Sequence, residues 1–219
     1  MVSSRRSVAS AFAARLVVMA KEPKAGVVKR RLATGIGAAE AMRFFRTTLR
    51  HTLMRVGADP RWRTYLAVTP DASLSAPCWP RWPRITLLPQ GDGDLGQRMQ
   101  HLFDVIPPGP AVIIGSDIPA INAGHVAEAF KSLRGADAVF GPAEDGGYWL
   151  VGLRRCPRRL APFDGVPWST DRALAVTRQN LSSRKVALVA RLSDVDTAGD
   201  FKTQQRFAER LVLPRAHPA

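Results

Sequence analysis

Carboxylates at separate places in this sequence could hold a hard metal ion, and a basic loop could hold phosphates beside it. The stretch SDVDTAGD carries Asp194, Asp196 and Asp200. In an extended segment the side-chain period of two points Asp194 and Asp196 the same way, where like charges repel unless a cation lies between them. Hard oxygen ligands of this kind suit Mg²⁺ or Mn²⁺, which also bind phosphate oxygens. Thr197 followed by Asp200 resembles a capping box before a last helix. Asp200 is therefore expected to serve the helix and the first pair the metal. Asp117 stands at the end of an apolar run, AVIIGSDIPAI (111–121). A buried strand that breaks at Gly-Ser-Asp delivers its carboxylate to the carboxyl end of a sheet, where ligands of α/β proteins gather. The competing role is a cap for the helix starting near Ile121 or Asn122.

The basic loop is AKEPKAGVVKRRLA, residues 20–33. Gly26 allows close backbone approach, and Lys21, Lys29 and Arg31 supply cations near the end of a first strand, a setting for nucleotide phosphates. The loop lacks GxxxxGK[ST] and is not a dinucleotide fingerprint. A solvated basic turn is the plainer alternative. QGDGDLGQRM (90–99) is a second Gly-rich strand-to-helix loop. Gln90 and the glycines from Gly91 on suit a base or ribose, and the helix end near Leu95 suits an anion. GPAEDGGYWLVGL (141–153) sets Asp145, Gly146, Gly147 and Trp149 at a strand-to-strand bend, either a tight turn or the wall of a sugar or acceptor pocket.

The elements that must position these residues alternate along the chain. Strands are expected at 15–20, 63–69, 84–90, 111–115, 136–143, 146–153 and 185–190. Helices are expected at 38–56, 94–106, 123–135 and 170–181, with a terminal helix ending near 211. The alternation predicts one α/β domain with a mostly parallel, mixed sheet flanked by helices, the strands at 136–143 and 146–153 pairing antiparallel. The expected organisation is a flexible leader over 1–14, the domain over 15–213 and a tail over 214–219.

Composition narrows the function classes. The formal net charge is +14, carried by 26 Arg and 6 Lys. That excess could attract nucleic acid, anionic lipid or phosphorylated small molecules, and a general arginine-rich bias would produce the same count. The arginines are scattered and no nucleic-acid motif accompanies them, so nucleic-acid binding is not expected. No apolar stretch is long enough to span a bilayer. Cys78 and Cys156 form no CxxC pair and read as reduced thiols of a cytoplasmic protein. Arg15 interrupts the apolar part of the first twenty residues, and RLVVMA reads as a core strand, which argues against a secretory signal.

Taken in order, AKEPKAGVVKRRL, QGDGDLGQRM, IGSDIPAI, GPAEDGGYWLVGL, PWST and DVDT resemble the DUF2064 family of nucleotide-diphospho-sugar transferase-like proteins. That family is described as radical-SAM/selenodomain-associated transferases and as glycosyltransferases linked to arsenosugar biosynthesis. The resemblance spans about residues 16–201 and implies a single-domain GT-A-like fold, similar also to small nucleotidyltransferases such as phospholactate guanylyltransferase. It implies a nucleotide-phosphate role for Lys21, Gly26, Lys29 and Arg31, and Mg²⁺ or Mn²⁺ binding by Asp117, Asp194 and Asp196. Asp145, Gly146 and Gly147 would line the sugar or acceptor side. The chain departs from the family pattern at Ala25, where proline is usual, and at Arg30, where threonine is usual. The implied activity is metal-dependent transfer of a sugar from a nucleotide-diphosphate sugar to a small-molecule acceptor, with Asp145 as the candidate base. Nucleotidyl transfer from an NTP and a noncatalytic basic binding module are the competing classes.

Overall fold

A computed structural model describes residues 13–79, 82–156 and 159–203. Its strands are β1 (Ala14–Lys21), β2 (Trp62–Thr69), β3 (Ile85–Pro89), β4 (Ala111–Gly115), β5 (Ala138–Pro142), β6 (Tyr148–Leu153) and β7 (Val186–Leu188). They form one seven-stranded sheet in the order β3-β2-β1-β4-β6-β5-β7. All pairings are parallel except those of β6, which runs against both β4 and β5. The expected antiparallel pair is thus a hairpin of β5 and β6, with β6 inserted beside β4. Short runs rich in Val, Ile, Leu and Ala suit such strands, because both faces of a parallel sheet are covered.

The helices are α1 (Arg30–Ile36), α2 (Ala38–Thr52), α3 (Leu95–Val105), α4 (Ala123–Ser132) and α5 (Ala173–Gln179). Leu16, Val18 and Ala20 of β1 pack on one face with Phe45, Leu49, Val126 and Ala129. The alternate residue Val17 packs on the other face with Met99, Leu102 and Phe103. Period-two alternation in the strand thus meets helical stripes on both sides, which makes a three-layer α/β fold.

Two helices differ from expectation. The segment read as loop to residue 33 turns helical at Arg30, and α1 meets α2 at Gly37 (φ 86°). Seven residues with only Leu32 buried are too few to display a helical period. The helix expected over 38–56 is α-helical to Thr52 and closes in a π-helical turn, Leu53–Gly57. Residues 198–203 are helical, as expected of a terminal helix. Most of the proposed leader, and residues 204–219 with the proposed tail, lie outside the described residues.

Candidate functional site at the carboxyl edge of the sheet

Strand direction decides which loops can share a site. The segments after β1, β2, β3, β4, β5 and β7 all leave from the same carboxyl edge, because these six strands are parallel to one another. Strand order runs outward from β1 to β2 and β3 on one side and to β4 on the other. That reversal makes a crevice between β1 and β4, the usual ligand position in such sheets. Lys21 ends β1 and Asp117 follows β4 at this crevice.

Asp117 does not cap α4. Asn122 does, its Oδ1 accepting from the backbone N–H groups of Gly124 and His125 at 2.8 and 3.2 Å. Asp117 instead faces Lys29, whose Nζ lies 2.8 Å from Asp117 Oδ2 and 2.6 Å from Asp196 Oδ1. Asp194 completes the group: one carboxylate oxygen from each of Asp117, Asp194 and Asp196 lies within 4.8 Å of the others. The two distant aspartates reach the crevice because the chain past β7 continues along β5, with Val189 N–H donating to Phe140 O and Leu192 N–H to Pro142 O. Asp200 accepts from Thr197 N–H and Oγ1–H, and Thr197 Oγ1 accepts from Asp200 N–H, so this acidic residue serves the helix start.

The electrostatics follow from burial and charge. Burial disfavours a charged Lys29, but the attraction and hydrogen bonds of Asp117 and Asp196 outweigh it and hold its pKa above the usual lysine value. Asp194 is pushed up to about 6, first by burial and then by repulsion from Asp196. Three oxygen donors of this hardness, close enough to share one ion, fit Mg²⁺ or Mn²⁺ by their chemistry.

Beside the carboxylates lies a cavity of about 300 Å³ lined by Lys21, Lys29, Gln90, Arg98, Ser116 and Asp117, among others. Gln90 is buried, and its Nε2 donates to Ala20 O and Ala67 O, tying together the ends of β1 and β2. The amide expected to meet a base thus also fastens two strands. Gly91, in a positive-φ turn, donates its N–H to Asp71 Oδ1. Gly26 supplies another positive-φ turn, φ 76°, in the loop leading to Lys29. Arg31 is mostly exposed, with Nη1 3.9 Å from Asp196 Oδ2. A larger cavity of about 640 Å³ runs along α2 beside Trp79 and Trp82 but includes none of the three aspartates.

The bend between β5 and β6 stands at the same edge but outside the carboxylate cluster. Asp145 Oδ1 accepts from Gly147 N–H, an Asx-type turn. Gly146 has φ 82°, and a Cβ there would come within 2.1 Å of Asp171 O. Trp149 requires a correction. It is buried in the core, its indole N–H donates to Ala190 O, and it covers Gly141, so it does not line a pocket. An inward position in the strand explains this, since alternation sends Trp149 into the layer that also holds Leu16 and Val126.

Arg98 was not among the residues expected at the site. It sits on the first turn of α3, lines the cavity, and its Nε donates to Gly93 O. Its signal was present: a cation four residues beyond the capping Asp94 falls at the end of α3 that faces the crevice. Phe45 of α2 and Ser116 also line the cavity, and nothing local in the sequence marks either.

Among the described residues no helix is long and apolar enough to cross a membrane. The chain is similar in structure to a protein from Desulfovibrio desulfuricans G20 described as a candidate nucleotide-diphospho-sugar transferase. Identity is 28%, TM-score 0.83, and coverage 94% of this chain and 91% of that one. It also shares its fold with the 4-diphosphocytidyl-2C-methyl-D-erythritol synthase of Anaerococcus prevotii DSM 20548, at 11% identity and TM-score 0.61, covering 91% of this chain and 100% of that one. A Mycobacterium sp. strain JC1 homologue of Mycobacterium tuberculosis Rv0371c aligns at 21% identity and TM-score 0.56, covering 90% of this chain and 98% of that one. No curated protein matches the chain. The family model described as "uncharacterized protein conserved in bacteria" matches residues 52–170, and the chain belongs to that family, DUF2064.

Proposed function

We propose that this protein is a metal-dependent glycosyltransferase that moves a sugar from a nucleotide-diphosphate sugar to a small-molecule acceptor. The observation that carries the reading is the convergence of Asp117, Asp194 and Asp196 beside a cationic cavity at the sheet's switch point. Asp117, Asp194 and Asp196 would hold Mg²⁺ or Mn²⁺. Such an ion supplies Lewis-acid stabilisation of the charge that develops on a leaving diphosphate. Lys21, Lys29, Arg31 and Arg98 neutralise phosphate oxygens, the arginines through paired N–H donors. Gln90 and Gly91 edge the base and ribose side. Asp145, Gly146 and Gly147 would take the acceptor side, with Asp145 as the candidate carboxylate to receive the acceptor proton. The reading treats residues 15–213 as one domain and places the protein in the cytoplasm, in keeping with two free cysteines, Cys78 and Cys156.

Nucleotidyl transfer is the second reading, favoured by a fold shared with the 4-diphosphocytidyl-2C-methyl-D-erythritol synthase named above and with a CMP:2-keto-3-deoxy-manno-octonic acid synthetase complexed with CTP. The two differ in product. Incubation with nucleotide-diphosphate sugars and an acceptor panel should release free nucleoside diphosphate in a chelator-sensitive manner. Metal-dependent pyrophosphate release from an NTP, with no turnover of any nucleotide sugar, would reverse the choice.

A further inference from the structure

Lys29 is a cation already seated among the acidic side chains. Its ammonium is within hydrogen-bonding distance of both Asp117 and Asp196, at 2.8 and 2.6 Å, and its side chain is 4% exposed. The backbone that delivers it is left-handed, φ 49° and ψ 49°, a conformation unfavourable for a residue with a side chain. Such a residue persists only where its surroundings over-determine it, and strained positions of this kind cluster at ligand clamps and switches.

The two oxygens that Lys29 engages belong to two of the three carboxylates able to share one ion. A Mg²⁺-sized ion binds carboxylate oxygen at about 2.1 Å. An ammonium hydrogen-bonded to the same pair competes for those oxygens and repels a divalent ion placed beside it. The repulsion is relieved only if the ammonium leaves, and a buried ammonium leaves at low cost only toward another anion. The cavity that Lys29 itself lines also holds Lys21 and Arg98, so a diphosphate bound there would bring negative charge within reach of its flexible four-carbon stem.

We infer that Lys29 and the divalent metal are alternative occupants of the Asp117–Asp196 pair, so that the chain takes the metal together with a diphosphate ligand and resists the free ion. The inference rests on the reading of the carboxylates as a metal site. Lys29 acts as a positioning residue: it keeps the mutually repelling carboxylates assembled, then transfers its charge to the phosphates as the metal arrives. By linkage, the diphosphate raises metal affinity and the metal raises diphosphate affinity by the same factor.

Free Mn²⁺ would be followed by electron paramagnetic resonance during titration of the full chain, alone and with UDP or GDP. Wild type, Lys29→Met, Lys29→Gln and Asp117→Asn would be compared, each first shown to be folded by its melting curve in EDTA. Wild type should bind free Mn²⁺ weakly and gain roughly tenfold or more with a nucleoside diphosphate. Lys29→Met or Lys29→Gln should bind free Mn²⁺ roughly tenfold tighter than wild type, because one opposing charge is gone, and should lose most of the diphosphate-dependent gain. Asp117→Asn should weaken binding in both conditions. Free-Mn²⁺ affinity of folded Lys29 variants equal to or below wild type overturns the exchange while leaving the metal site standing. Absence of Mn²⁺ binding to every protein, with and without diphosphate, overturns the metal reading itself and the exchange with it.

Discussion

Lys29 and Asp196, 167 residues apart in the chain, meet through an Nζ–Oδ1 contact of 2.6 Å. The contact joins the loop after the first strand to the segment after the last. It thereby draws the basic motif and the acidic motif into one site at the edge of the sheet.

Arg98 tests whether the cavity beside that contact receives phosphate. Its guanidinium lines the cavity from the first turn of α3 and is otherwise engaged only with the carbonyl of Gly93, among the described contacts. A charge-assisted hydrogen bond contributes about 1.5–3 kcal/mol. Arg98→Ala should therefore weaken nucleoside-diphosphate binding roughly tenfold or more, with little change in melting temperature. Calorimetry of the folded variant checks this, and undiminished affinity would remove α3 from the site.

Asp194 gives the site a pH signature. Its carboxyl is pushed up to about 6, well above the ordinary carboxylate range, with burial the main cause. The native state therefore holds this proton more tightly than the unfolded chain. The associated stability is fully present below the unfolded value and is lost as pH rises through the folded value. In EDTA, Asp194→Asn should melt higher than wild type at pH 7, and the difference should shrink toward zero below pH 4. Metal uptake runs the opposite way, because a protonated carboxyl is a poor ligand: Mn²⁺ affinity should fall as pH drops below about 6. A pH-independent difference between the two proteins would contradict the environment assigned to Asp194.

Gly146 isolates the bend between β5 and β6 from the carboxylates. Its φ of 82° and the closeness of Asp171 O leave no place for a Cβ, whereas Gly135, at the end of α4, has open space around it. Gly146→Ala should cost more than about 1 kcal/mol in stability, and Gly135→Ala should be near neutral. If the bend serves the acceptor, Gly146→Ala should also depress turnover while leaving nucleoside-diphosphate affinity intact. Denaturant melts and a binding isotherm on the same two variants separate these effects, and equal stability losses in both would refute the tight-turn account.

Much of this protein was legible in the sequence because its signals are local. Strand periodicity, the Gly-Ser-Asp break at Asp117, the Thr197–Asp200 cap and the antiparallel hairpin at 138–153 each depend on residues close together in the chain, and the fold class follows from them. The family resemblance rests instead on six motif blocks taken in order. The helix at 30–36 was hidden by its brevity. Three decisions belonged to tertiary structure. The role of Asp117 was open until Asn122 took the cap and Lys29 took the carboxylate. Trp149 looked like a pocket wall beside its glycines, yet the inward phase of β6 buries it under Ala190. Lys29 read as a free phosphate cation, but burial among carboxylates makes it their counter-ion first. Periodicity and turn chemistry are fixed by neighbours in sequence. Which charge meets which carboxylate depends on strand order, and strand order is set only when the whole sheet assembles.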